Sequence, residues 1–75
     1  MAPRSPNQID IHIGNRLHKR RVFLEQSRQD IGEAIGVSHQ QIQKYEKGIN
    51  RISASRLYAC AEYMDTSLDY FFKGM

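Results

Sequence analysis

"SRQDIGEAIGVSHQQIQKYEKG", residues 27–48, contains two helices and the turn that joins them. Ser27 with Asp30 three residues on is a helix start, and Ser38 with Gln41 repeats the spacing as an S-x-x-Q capping box. The inward set of the first helix is Ile31, Ala34 and Ile35, and Gly36 stops it. Val37 and Ile42 stand at the two positions of a hydrophobic staple, and Gly48 falls where a left-handed residue ends the second helix. The helices therefore span about 27–35 and about 38–47. From Ile35 to Ser38 the gap is too short for an antiparallel hairpin. A glycine-containing turn of about three residues sets two helices at about 90–120°, which is a helix-turn-helix. Gly32 fits this geometry. Glycine inside a helix costs up to about 1 kcal/mol against alanine, and two helices crossing steeply need a small residue at the contact.

The surface of the second of these helices carries the functional reading. At 100° per residue, Tyr45 and Glu46 lie within about 60° of Ile42, the inward direction. Gln40 and Lys44 point nearly the opposite way, Gln43 and Lys47 lie beside them, and His39 stands above Gln43 on one flank. A solvated helix face ordinarily mixes signs, because Glu–Lys pairs four residues apart help the helix. This face has amides and cations and no carboxylate. Gln can read adenine through N6 and N7, and Lys can read guanine or neutralise phosphate. A polar helix facing water is the plain alternative; the adjoining helix and turn move the reading to DNA.

Around this unit the chain is short, 75 residues, enough for one domain. Residues 1–9, with Pro3 and Pro6, read as a flexible arm ahead of a domain over 10–73. Ile13, Leu17 and Leu24 give a first helix from about Asp10. Ser53 caps a fourth helix with the stripe Leu57, Cys60, Ala61 and Met64, and Thr66 or Ser67 opens a short fifth carrying Leu68, Phe71 and Phe72. The expected fold is all-α, a compact five-helix bundle.

Several classes drop out. No apolar run reaches the roughly 18 residues of a membrane span, and the N-terminus lacks a signal core. A single cysteine, Cys60, allows no internal disulfide and fits a reducing cytoplasm; in its apolar stripe it reads as a core thiol. His12, His18 and His39 lack paired ligand spacing, so no metal or other cofactor is expected. Without a nucleophile–base order, paired carboxylates or a phosphate-cradling glycine loop, no enzyme is expected either. Net charge is +3, with Arg16, Lys19, Arg20, Arg21 and Arg28 in the first half and acids near the C-terminus, so one side should be positive.

From about Gly14 to Phe72 the sequence resembles the Cro/repressor-type (Xre-family) helix-turn-helix domains, through "NRLHKRR", residues 27–48 and "ISASRLYACAEYMDTSLDYFF". The resemblance implies a lambda-repressor-like fold whose third helix enters the major groove. It also implies a homodimer on a two-fold operator acting as a transcriptional regulator, mostly a repressor. Base reading then falls on His39, Gln40, Gln43 and Lys44. Phosphate contacts fall on Arg28, in the place of a usual Gln, and on Asn50 and Arg51. Lys47 and Gln41 are further phosphate candidates, Gln41 after its capping role. Arg21 and Glu46 correspond to a structural ion pair joining the first and third helices, consistent with the need of an inward Glu for a partner. Where many members have Gly and an apolar residue before the second helix, this chain has Glu25 and Gln26, so that turn is expected to differ in shape. Antitoxins share the fold and bind a protein partner through it, which is the alternative function.

Overall fold

In the computed structural model, residues 6–75 are described. They form α1 (Pro6–Phe23), α2 (Arg28–Ile35), α3 (His39–Glu46), α4 (Ala54–Tyr63) and a closing 3-10 segment, Leu68–Phe72. The all-α reading holds, with four α-helices rather than five. The fifth expected helix is one short 3-10 stretch, whose cap residue Ser67 makes no side-chain hydrogen bond. The flexible arm expected over 1–9 lies outside the described residues at 1–5, and from Pro6 the chain is already helical. Proline is favoured at a helix's first position, where its missing N–H costs no bond. No helix among the described residues is long and apolar enough to cross a membrane.

Serines start the three inner helices. Ser27 Oγ accepts from the Asp30 amide at 3.0 Å and Asp30 Oδ2 accepts from the Ser27 amide at 2.9 Å, a complete capping box. These bonds, first the one from the Ser27 backbone, hold the Asp30 carboxyl below its ordinary range. Ser38 accepts from the Gln41 amide at 3.1 Å, but the Gln41 side chain does not bond back, so the second box is half made. Ser53 caps α4 through the Arg56 amide at 3.2 Å.

Nine residues form the core: Leu17, Ile31, Ile42, Tyr45, Leu57, Cys60, Ala61, Met64 and Phe71. The α4 stripe is buried as its spacing predicts. In α2 the inward arc turns one position further than expected, with Gly32 buried and Ala34 exposed. The cause is the crossing with the start of α3. A Cβ on Gly32 would lie 2.5 Å from the Val37 carbonyl oxygen, so that oxygen occupies the space a side chain would need. The Gly32 carbonyl in turn accepts from the amides of Gly36, at 2.8 Å, and Val37, at 2.9 Å, while Gly36 turns the chain with φ of 82°. Leu68 and Phe72, carried with Phe71 on the expected fifth helix, are each 42% exposed, and Phe71 alone of that trio is in the core.

Between α1 and α2, Glu25 takes φ of 57°, the left-handed conformation that glycine adopts without strain. The turn thus keeps a left-handed residue despite having no glycine there. It is closed by the Gln26 amide on the Arg21 carbonyl at 3.1 Å and by Tyr63 Oη donating to Gln26 Oε1 at 2.7 Å. Left-handed backbone costs a non-glycine residue about 1–2 kcal/mol, partly offset by the chain entropy glycine adds to the unfolded state. Glu25→Gly should therefore raise stability by up to about 1 kcal/mol, read as a rise of about 4 °C in melting temperature. A lower melting temperature would mean that the Glu25 side chain itself supports the turn.

Candidate nucleic-acid interface

The two faces of α3 differ in what their side chains touch. Ile42 is 0% and Tyr45 5% exposed, and both pack into the core. On the other side His39, Gln40, Gln43 and Lys44 are all exposed, and none makes a side-chain hydrogen bond or ion pair within the described residues. Lys47 continues that face and is equally unpaired; Gln41 is half-buried at its edge, its side-chain amide uncommitted among the described residues. A row of amide and cationic groups without internal partners, mounted on a buried apolar edge, is equipped to hydrogen-bond something outside the chain.

The inner edge of α3 is anchored through Glu46, whose side chain is 3% exposed. Arg21 of α1 donates from Nε to Oε2 at 2.6 Å and from Nη2 to Oε1 at 3.2 Å. Arg28, the first residue of α2, donates from Nε to Oε1 at 3.0 Å, and His18 Nδ1 lies 3.1 Å from the same oxygen. One carboxylate thus ties three helices together. Burial is the strongest single influence on its protonation and pushes the carboxyl up. The bonds from Arg21, His18 and Arg28, with the charge of Arg21, outweigh it, so the carboxyl sits below its ordinary range.

The residues expected on phosphate are placed as follows. Arg28 stands at the α2 N-terminus, 40% exposed, with its Nε committed to Glu46 and the rest of its guanidinium unpaired among the described residues. Arg51 lies after α3 with its Nε on Asp10 Oδ2 at 2.9 Å, and Asn50 is half-buried beside it. The positive side expected from the basic cluster narrows sharply, because most of that cluster is structural. Arg20 gives Nε and Nη2 to the Met64 carbonyl at 3.0 and 2.8 Å, at the C-terminal end of α4 where cations are favoured. Arg16 donates to the Tyr70 carbonyl at 2.9 Å and lies over the Tyr70 ring at 3.9 Å. Of the α1 basic residues, Lys19 alone makes no such bond among the described residues. Cys60 is fully buried, and burial pushes its thiol up to about 11, which leaves it protonated and inert at neutral pH.

Sequence reasoning passed over His18 and Gly14. The His18 signal was weak, one histidine a helical turn before Arg21. Gly14 had a usable signal, an interior helix glycine like Gly32, and its role is to let the α1 backbone touch the last turn of α3.

A short α2, a glycine turn and an α3 with an exposed polar outer face define a helix-turn-helix domain. The chain belongs to the Cro/Xre-type helix-turn-helix family: a family model described as Helix-turn-helix matches residues 20–71. Among its relatives is an HTH-type transcriptional regulator of Sinorhizobium medicae, 46% identical over 70 residues that make up 93% of this chain and 50% of that protein. Another, from Rickettsia conorii, is 50% identical over 68 residues, 91% of this chain and 54% of the relative. The chain spans about half the length of these curated relatives. Among solved structures, the P22 c2 repressor in complex with a synthetic operator superposes with a TM-score of 0.76 at 28% identity, covering 84% of this chain and 96% of that one.

Proposed function

We propose that this domain binds double-stranded DNA by sequence, with α3 in the major groove, and that two copies on a two-fold operator act as a transcriptional regulator of the repressor type. The observation that carries the reading is the face His39, Gln40, Gln43 and Lys44, exposed and without internal partners on a helix whose other edge is fixed by Ile42, Tyr45 and Glu46. Rigid presentation matters, because base discrimination depends on side chains held at defined distances from base edges. The relatives' names as transcriptional regulators and the operator bound to the P22 c2 repressor support the same reading. A domain of 75 residues offers few contacts, and doubling them across two half-sites one helical turn apart is the usual route to operator-level affinity.

Selection of binding sites from a randomised duplex pool tests this. Enrichment of an inverted repeat with half-sites about one turn apart is the expected result. A recovered pool no different from the input would remove the reading. With the operator in hand, Gln40→Ala should cost about 1–3 kcal/mol of binding and relax preference at one base position. A uniform loss over all sequences would instead place Gln40 on the backbone.

A further inference from the structure

Arg51 and Asp10 share their charge unequally with solvent. The Asp10 side chain is 14% exposed and that of Arg51 65% exposed. The carboxylate therefore lies back in the fold while the guanidinium reaches outward, held at Nε, the nitrogen nearest its stem, by a 2.9 Å bond. Neither Nη group has a partner among the described residues. The support behind Asp10 is firm, since α1 presses on the loop after α3: a Cβ on Gly48 would lie 2.6 Å from the Ile11 Cα.

Arg28 repeats the arrangement on the other side of α3. Its Nε holds a carboxylate, Glu46, that is 3% exposed, and its own side chain is 40% exposed with neither Nη group partnered among the described residues. Arg20 and Arg21 provide the contrast, because backbone carbonyls take Arg20 Nη2, and the Gln26 carbonyl and Glu46 take both Nη groups of Arg21. Two guanidinium groups are thus gripped from behind, one before and one after the helix that presents the unpaired face.

We infer that Asp10, a residue of α1 far from the α3 face in sequence, is a positioning residue for DNA. It holds the Arg51 guanidinium so that the outer edge takes a backbone phosphate. The inference rests on the DNA reading above. The planar fork of Arg matches a phosphate through two parallel N–H bonds, and it does so best when already oriented. A free surface Arg loses its rotamer freedom at the moment of binding, whereas one fixed by a carboxylate has lost it on folding. Repulsion between Asp10 and the phosphate works the other way. It acts from behind the cation and is screened by salt, so orientation dominates.

The test is a double-mutant cycle on the full chain, using a labelled duplex of roughly 20 base pairs of random sequence at about 50–200 mM salt, where phosphate contacts dominate. Arg51→Ala should weaken binding about tenfold and lower the salt slope by about one. Asp10→Asn should weaken it about fivefold in the parent chain and change nothing in the Arg51→Ala background. A melting temperature for Asp10→Asn within a few degrees of the parent keeps the loss from being one of folding, as expected for a pair whose Arg is 65% exposed. Unchanged or tighter binding by Asp10→Asn, or an equal loss in both backgrounds, would overturn the positioning role alone. A parent chain that fails to bind the duplex even at low salt would overturn the DNA reading and this inference together.

Discussion

Glu46→Gln should destabilise the domain by about 3 kcal/mol at neutral pH, a drop of about 12 °C or more in melting temperature. The substitution keeps shape and one carbonyl oxygen but removes the charge that Arg21, Arg28 and His18 converge on, and it adds an NH2 that faces guanidinium donors. Burial sets the size of the effect. With Glu46 3% and Arg21 11% exposed, the Arg21 guanidinium left behind is largely cut off from water, and removing one member of such a buried pair costs about 3–5 kcal/mol. The Arg51–Asp10 pair, with its Arg 65% exposed, belongs to the class worth about 0–1 kcal/mol. For a 75-residue domain of about 5 kcal/mol total stability, the first loss brings unfolding close to working temperature and the second does not.

The same substitution has a pH signature. Since the Glu46 carboxyl is held below its ordinary value in the folded state, its contribution is complete above the unfolded value and disappears as pH falls through the folded one. The gap in melting temperature between parent and Glu46→Gln should therefore be constant from neutral pH down to about 4.5 and should close below that. Thermal melts of both chains between about pH 7 and 3 measure it. A gap that persists undiminished at the acid end would mean that Glu46 acts by shape and packing, not by charge.

Local chemistry explains which parts of this molecule were legible beforehand. Ser27, Ser38 and Ser53 are caps because a hydroxyl three residues before an amide can reach it, a relation contained within one turn of chain. The Leu57–Met64 stripe is core because Leu57, Cys60, Ala61 and Met64 recur at helical spacing along one flank. The outer face of α3 was legible for the same reason in reverse, as the side left over once Ile42 and Tyr45 turn inward. What sequence could not carry were relations between distant segments. Arg16 and Arg20 look like free surface cations until α1 is laid against the carbonyls of Tyr70 and Met64. Arg28 looks like a phosphate ligand and nothing else until Glu46 arrives 18 residues later in the chain. Residues 68–72 looked like a helix because their apolar spacing suits one, yet five residues suffice for i→i+3 bonds and hardly for a ladder of i→i+4 bonds.

Gly14→Ala carries the other large expected effect, and it runs against helix propensity. In isolation the change should favour α1 by about 1 kcal/mol. In the fold, the new Cβ would lie 2.1 Å from the Tyr45 carbonyl oxygen and 2.8 Å from that of Glu46. Both are backbone atoms of the last turn of α3, so no side chain can swing aside and the two helices must separate. Overpacking of this kind costs about 1–3 kcal/mol and here has a second consequence. His18 and Arg21 lie one and two turns beyond Gly14 on α1, and the 2.6 Å contact of Arg21 with Glu46 requires that helix to stay close. Separation strains the ion cluster along with the core, so a net loss of about 2–3 kcal/mol is expected despite the gain in propensity. Gly36→Ala provides the contrast. No atom stands within 4 Å of the Cβ it would add, and only the φ of 82° opposes it, at about 1–2 kcal/mol. Melting curves should accordingly place Gly14→Ala at or below Gly36→Ala. Combining Gly14→Ala with Glu46→Gln should lose less than the sum of the two, because both act on the α1–α3 contact. If Gly14→Ala melted at or above the parent, propensity would outweigh the backbone contact, and the α1–α3 approach would be far more yielding than the carbonyl positions imply.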